Sequence, residues 1–304
     1  MSSLAQDCAQ TMPAIMVDEQ RTFVTGITAD RLQAKLGSVR VPITRVERME
    51  NFRVLILFDT SGSMEPSDEP FTRRRKALAL VNSTLDELVS EMPPGAKIEY
   101  GMFDNYAVFG PEFTASLEEL RKSLDELNNH RKRRGPKHTA LYDALGDSLA
   151  RFDPPQPGDS VLIVTDGMDN ESHLRPGKVQ VEAARKGVRV FSILMKSHEP
   201  DYDGSGLVIL DFAERTGGSV HVVDMTTNSW IGDKDPKQER QDLRHFWNNE
   251  VLSGYLLHFN VPASAKDQRK WMLSVDRLPG QKSKTLAAYP SRLNACAVAT
   301  AAAH

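Results

Sequence analysis

A short apolar run that ends abruptly in polar residues is the feature that most constrains the fold of this chain. Residues 54–58 read VLILF, and Asp59, Ser61 and Ser63 follow at alternate positions. Five consecutive apolar residues predict a strand buried on both faces, as in the middle of a parallel sheet. Ligands of open α/β sheets bind beyond the carboxyl ends of the strands. The three side-chain oxygens therefore suggest half of a site for a hard cation.

The same residues are also typical of an ordinary turn followed by a helix cap, because Asp and Ser favour both. A second apolar run, residues 161–164, helps to separate these alternatives. It too ends in polar residues, Thr165 and Asp166, followed by Gly167. Asp59 and Asp166 are thus predicted to lie at the carboxyl ends of two buried strands.

Between residues 51 and 226, apolar strands alternate with amphipathic helical patterns. One helix face, for example, is formed by Leu78, Val81, Leu85, Leu88 and Met92. This alternation predicts a Rossmann-like, doubly wound, mostly parallel sheet with helices on both faces.

The flanks of this domain are predicted to be shorter β-rich segments. Residues 1–20 are expected to form a flexible tail. Residues 21–50 are β-like, since Val39, Val41 and Ile43 alternate with other residues in a single strand pattern. Residues 227–304 indicate a helix and strands that pack on the domain and end in an Ala-rich tail, which is expected to fray.

Composition excludes several classes of protein. A net charge of −3 gives no global field that would attract nucleic acid or an anionic membrane. No apolar run approaches the ~20 residues of a membrane helix, so membrane insertion is not expected. The N-terminus does not resemble a signal peptide, which predicts a cytoplasmic location if the start is native. Cys8 and Cys296 have no metal-ligand spacing, and two free thiols are expected rather than one disulfide.

Five separated oxygen-bearing residues form the candidate metal site. They are Asp59, Ser61, Ser63, Thr139 and Asp166. Five oxygen ligands, of which two are anionic, match an octahedral Mg²⁺ or Mn²⁺ that keeps one or more waters. Because three ligands are neutral hydroxyls, the ion keeps enough positive charge to accept an acidic group from outside.

These motifs resemble the von Willebrand factor type A (VWFA) domain and its metal-ion-dependent adhesion site (MIDAS). Asp59, Ser61 and Ser63 correspond to the family's first motif, Thr139 to the second and Asp166 to the third. The resemblance covers about residues 51–226, including residues 210–218 before the predicted last strand. It implies that the five residues hold a divalent cation and that the partner is a protein presenting Asp or Glu.

The flanks resemble, more weakly, VWFA-related proteins of Acidobacteria. That resemblance implies a secreted or periplasmic location, although the customary secretion signal and a Gly-Tyr pair near the end are absent here.

Several neighbouring residues have two interpretations. The basic run at residues 131–134 either borders the metal face or is a solvated loop, and no aromatic residues interleave it as nucleic-acid binding would require. Residues 65, 68 and 69 are acidic and form either an internal metal ligand or a solvated turn. His138 is either a base or a solvated loop residue. Three tryptophans are expected to anchor the C-terminal segment on the domain, with stacking against a ligand as the alternative: Trp230, Trp247 and Trp271.

Three further polar residues are candidates for orienting ligand hydroxyls or bound water from behind the ligands: Asp143, Asp169 and Asn170. A simple turn role is the alternative for Asp169 and Asn170.

The favoured function is Mg²⁺-dependent protein binding without catalysis. A metal-assisted hydrolase or phosphatase that uses Asp59 as phosphoryl acceptor is an alternative. However, Ser61 stands where haloacid-dehalogenase-like phosphatases have a second Asp, and no nucleophile elbow is present. A docking subunit of a larger ATPase or surface assembly is a third possibility.

Overall fold

The computed structural model describes residues 8–64, 72–131, 138–196, 205–224, 235–261, 271–276 and 284–293. Its strands are β1 (Cys8–Val17), β2 (Leu32–Leu36), β3 (Val39–Val41), β4 (Ile43–Arg48), β5 (Phe52–Asp59), β6 (Ala96–Phe103), β7 (Ala107–Phe109), β8 (Asp159–Thr165), β9 (Arg189–Lys196), β10 (Val220–Asp224), β11 (Tyr255–Val261), β12 (Trp271–Val275) and β13 (Leu286–Ala288). Its helices are α1 (Thr72–Ser90), α2 (Leu117–Arg131), α3 (Leu141–Ala150), α4 (Pro176–Lys186), α5 (Ser205–Arg215) and α6 (Pro236–Phe246), which continues into a π-helical segment, Trp247–Val251. None of the described helices is long and apolar enough to cross a membrane.

The central sheet has six strands in the order β10-β9-β8-β5-β6-β7. All neighbouring pairs are parallel except β6 and β7, which form an antiparallel hairpin at one edge. This mixed α/β architecture confirms the predicted fold class. β6 and β7 lie on one side of β5, whereas the later strands β8, β9 and β10 lie on the other side. The topological switch point of the sheet is therefore between β5 and β8.

Strand β5 is buried on both faces, as its apolar run predicts. Val54 and Ile56 belong to the core formed with α1, α2 and α6. Leu55 and Leu57 point to the opposite side, into the core formed with α3, α4 and α5. All four side chains are fully buried. This double burial holds the last residue of the strand, Asp59, at a defined place on the sheet edge.

The two flanks of the chain together form a β-sandwich. One antiparallel sheet has the order β13-β1-β11-β4, and the other has the order β12-β2-β3. A shared apolar core lies between them and includes Met16, Leu36, Leu257 and Trp271. The N- and C-terminal segments are therefore halves of one structure.

The expectation of a flexible tail at residues 1–20 is wrong for Cys8–Val17, which forms β1. Met12 and Met16 face the sandwich core, whereas Ile15 and Val17 belong to a core of the central sheet. The strand is stabilised by apolar contacts on both faces and by pairing with β11 and β13. Those partners come from the far end of the sequence, so no local pattern shows them.

Two smaller expectations also differ from the structure. The strand pattern through Val39, Val41 and Ile43 is split into β3 and β4, which belong to different sheets. The break falls at Pro42, which has no backbone N–H to donate to a ladder. Cys8 is disulfide-bonded, so the expectation of a free thiol is wrong there. The other cysteine in the sequence, Cys296, lies outside the described residues.

Candidate metal centre

Asp59 is the last residue of β5 and is only 4% exposed. Its Oδ1 accepts a hydrogen bond from the backbone N–H of Ser61 at 2.9 Å. Its Oδ2 accepts one from the hydroxyl of Thr165 at 2.7 Å. These bonds hold the carboxylate in a fixed orientation at the sheet edge.

The two serines of the first motif lie together directly after Asp59. Their Oγ atoms are 3.1 Å apart. A short 3₁₀ turn, Gly62–Met64, follows Ser61, and the N–H of Met64 donates to the Ser61 carbonyl at 3.1 Å. This turn directs the side chains of Ser61 and Ser63 to the same side, as binding to one metal ion would require.

Asp166 directly follows β8, the neighbour of β5 in the sheet, and is 9% exposed. Its Oδ1 accepts a hydrogen bond from the N–H of Met168 at 3.2 Å. Gly167 has a φ of 83°, which allows the chain to turn immediately after Asp166.

Thr165 joins the first and third motifs, a role that was not predicted from the sequence. Its buried hydroxyl donates to Asp59 Oδ2 at 2.7 Å and accepts from the N–H of Gly167 at 3.0 Å. The available signal was its position, since the last residue of β8 lies beside the end of β5 in a parallel pair.

Thr139 is 3% exposed and lies just before α3. Its backbone N–H donates to Asn170 Oδ1 at 2.8 Å, and its carbonyl accepts from the N–H groups of Asn170 and Glu171 at 2.9 and 3.1 Å. On its other side, the N–H of Ala140 donates to the Asp104 carbonyl at 2.8 Å, beyond the end of β6. Thr139 thus lies between the segment after β6 and the segment that follows Asp166.

The segment after Asp166 also supplies the hydrogen-bond acceptors for the first turn of α3. Asp169 Oδ1 accepts from the N–H of Leu141 at 2.9 Å. Ser172 Oγ accepts from the N–H groups of Tyr142 and Asp143 at 2.9 and 3.2 Å and donates to Asp169. These side chains satisfy backbone donors that a helix start leaves without partners.

Asp143 completes this arrangement from the helix side. Its carboxylate accepts from the N–H groups of His173 and Leu174 at 3.0 and 2.7 Å. Burial acts to raise the pKa of Asp143, but the backbone hydrogen bonds from His173 and Leu174, together with the hydrogen bond and charge of the His173 ring, lower it. Asp143, like Asp169 and Asn170, therefore binds backbone N–H groups in this structure.

The electrostatics of the site are those of two neighbouring buried acids. Burial raises the pKa of Asp59 to about 7, and the charge of Asp166 acts in the same direction. Hydrogen bonds from Ser61 and Thr165 oppose this shift, and among the described residues no basic side chain acts on Asp59. A bound cation would offset the repulsion between the carboxylates, so the donor set fits a divalent ion.

The described residues contain no group of three or more His, Cys, Asp or Glu side chains that could hold a metal. A metal site at Asp59 and Asp166 would include hydroxyl oxygens among its protein ligands. Hard cations such as Mg²⁺ accept such oxygens readily.

The remaining candidates lie around or outside this centre. His138 is largely exposed, and its Nδ1 is 3.6 Å from Glu171 Oε1. Trp247 and Trp271 are buried in the cores, as anchoring predicts. Other candidates lie outside the described residues: Glu65, Asp68, Glu69, Trp230 and residues 132–134 of the basic run.

Comparison with solved structures finds similar folds at low sequence identity. BatB from Bacteroides thetaiotaomicron is 16% identical, with a TM-score of 0.47, over 65% of this chain and 98% of that chain. A von Willebrand factor type A protein from Catenulispora acidiphila is 11% identical, with a TM-score of 0.46, over 93% and 74%. Proximal thread matrix protein 1 from the mussel byssus, with a zinc-occupied MIDAS motif, is 16% identical, with a TM-score of 0.47, over 75% and 50%. No family model and no curated protein matches the chain.

Proposed function

We propose that this protein is a metal-ion-dependent protein-binding module. Its site would hold Mg²⁺ or Mn²⁺ through Asp59, Ser61, Ser63, Thr139 and Asp166. The partner would present an Asp or Glu carboxylate to the ion. The same site would bind its partner if the protein acts as a docking subunit of a larger assembly.

The observation that carries this proposal is the buried pair of acids at the switch point of the sheet. The pKa of Asp59 is raised to about 7 by burial and by Asp166, and no basic side chain in the described part of the chain acts on it. Ser61 and Ser63 lie beside Asp59, with their hydroxyls 3.1 Å apart. The ion supplies, when bound, the positive charge that attracts an external carboxylate. Asp59 and Asp166 hold that charge in place, and the hydroxyls add ligands without neutralising it.

The surroundings of the site favour a protein as partner. Tyr106 and Met168 are large side chains that remain 52% and 42% exposed. Tyr106 follows the segment bonded to Ala140, and Met168 directly precedes the segment bonded to Thr139. Exposed apolar side chains beside a polar centre are common at protein interaction sites.

Calorimetric titration of Mg²⁺ into the metal-free protein tests the proposal. We expect saturable binding that is lost in Asp59→Ala and in Asp166→Ala. The control variant Asp125→Ala removes an exposed carboxylate on α2 and should bind as the wild type does. Equal heats for all four proteins would refute the proposed metal site.

Capture of partners with the immobilised protein tests the second half of the proposal. We expect proteins that are retained in Mg²⁺, released by chelator and absent from an Asp59→Ala column. Because an acidic side chain would complete the metal coordination, free glutamate at high concentration should reduce retention. Retention that is unchanged by chelator would refute metal-dependent binding even if the metal itself binds.

A further inference from the structure

The start of α3 has no side-chain cap of its own. Its N-cap position is Ala140, which has no side-chain oxygen to accept a hydrogen bond. The acceptors come instead from a segment about 30 positions later in the chain, at residues 169–172. Asp169 bonds the N–H of Leu141, and Ser172 bonds the next two N–H groups.

The same two segments also bond in the reverse direction. Asp143 in α3 accepts from the N–H groups of His173 and Leu174. The Thr139 carbonyl accepts from Asn170 and Glu171, while Asn170 Oδ1 accepts from the Thr139 N–H. Residues 139–143 and 169–174 thus form a reciprocal clamp, in which each segment satisfies the backbone groups of the other.

The clamp connects two of the proposed metal ligands. Thr139 is the first residue of one clamp segment, and Asp166 precedes the other segment by three positions in the chain. Thr139 is in addition held directly at both its N–H and its carbonyl by Asn170. The relative placement of these two ligands therefore depends on side chains that are not themselves proposed ligands.

We propose that Asp169 and Asn170 are positioning residues that set the affinity of the metal site by fixing Thr139 relative to Asp166. This inference rests on the proposed function. A ligand set held before the ion arrives loses little freedom on binding, whereas a loose set must be ordered by the ion. Loss of comparable outer contacts around metal ligands in other proteins lowers affinity by roughly 10- to 100-fold.

Paired substitutions separate hydrogen bonding from charge. Asn170→Ala and Asp169→Ala remove the acceptors, and we expect each to weaken Mg²⁺ binding about 10-fold or more. Asn170→Asp and Asp169→Asn keep an acceptor oxygen at the same position. They change the local charge in opposite directions, so we expect both to stay within about 3-fold of wild type if geometry is decisive.

A capping residue elsewhere provides the control for a merely structural effect. Asp235 caps α6, and its Oδ1 accepts from the N–H of Lys237 at 3.0 Å. Asp235→Ala should lower the melting temperature, as loss of a helix cap does. It should leave Mg²⁺ affinity unchanged, whereas the clamp variants should lose affinity measured well below their own melting temperatures.

The outcomes distinguish this inference from the proposed function. If the wild type binds no Mg²⁺, or Asp59→Ala binds as well as the wild type, the proposed function fails. If the wild type binds and both alanine variants at 169 and 170 keep its affinity, the clamp proposal is overturned. It is also overturned if Asp169→Asn loses as much affinity as Asp169→Ala, or if Asp235→Ala loses affinity equally.

Discussion

At the scale of single residues, Asp59 carries an electrostatic cost that depends on pH. Its folded-state pKa is about 7, above the ordinary value of 3.8, because the side chain is buried next to Asp166. The folded state therefore holds a proton that the unfolded state releases between these two pH values. The stabilising contribution is present below pH 4 and is lost as pH rises through 7.

We accordingly expect metal-free Asp59→Asn to gain stability relative to the wild type as pH rises from 5 to 8. The gain over this range should reach about 3 kcal/mol, because the unfolded-state carboxyl is already ionised at pH 5 and each pH unit up to the folded-state pKa of about 7 contributes about 1.4 kcal/mol. Urea unfolding in chelator at several pH values measures this difference. Saturating Mg²⁺ should reverse the order at pH 8, since only the wild type retains the anionic ligand. A difference between the two proteins that does not vary with pH would contradict the assignment.

At the scale of elements, substitutions in β1 can show whether the N-terminal segment contributes to the stability of the fold. Met16 is fully buried in the sandwich core, whereas Thr11 in the same strand is exposed. We expect Met16→Ala to lower the free energy of unfolding by about 2–5 kcal/mol, as other large-to-small core substitutions do. Thr11→Ala should change it by about 0.5 kcal/mol or less. Equal, small effects in urea unfolding would restore the flexible-tail interpretation.

The same elements show how far sequence patterns reach. Strands β5 and β8 and the helices between them are predictable, because each has a local period and a clear end. The location of Asp59 and Asp166 at the same edge of the sheet is predictable too, because both residues stand at the carboxyl ends of parallel strands. Strand β1 was missed because Pro13 interrupts its pattern and its partners lie about 240 to 270 positions away. The role of Thr165 was also missed, and for Asn170 the sequence left a supporting role and a simple turn as alternatives, since both roles depend on contacts between distant loops.

At the scale of the whole molecule, buried polar contacts join the central sheet to the sandwich. Arg189 at the start of β9 is completely buried. Its guanidinium donates to the carbonyls of Ser253 and Val251 at 2.8 and 3.2 Å, just before β11. Burial lowers the pKa of Arg189 to about 9, so the side chain remains charged at neutral pH. Glu250 adds a second link, since it accepts from Ser219 at 2.5 Å and pairs with Arg21.

Because these contacts join the central sheet to the sandwich, we expect the wild type to unfold in one calorimetric transition. Arg189→Met should leave two buried carbonyls without donors, at a cost of about 1–3 kcal/mol each, and should separate the unfolding of the two parts. Calorimetric and van't Hoff enthalpies should agree in the wild type and differ in the variant. Arg185→Met, which removes an exposed arginine of α4, is the matched control. Two transitions in the wild type would show that the parts are independent.

The pairing of β1 with strands from the opposite end of the chain affects how the protein is made. During synthesis β1 leaves the ribosome before the six strands of the central sheet, whereas its hydrogen-bonding partners at 255–261 and 286–288 leave after all six. The central sheet can therefore assemble while those partners are still being translated. Until then, Met12 and Met16 lack the part of their apolar surroundings that comes from residues 255–261 and 271–273. β1 thus stays unpaired until strands beyond the central sheet are made, and the nascent chain is exposed to misassociation throughout that interval.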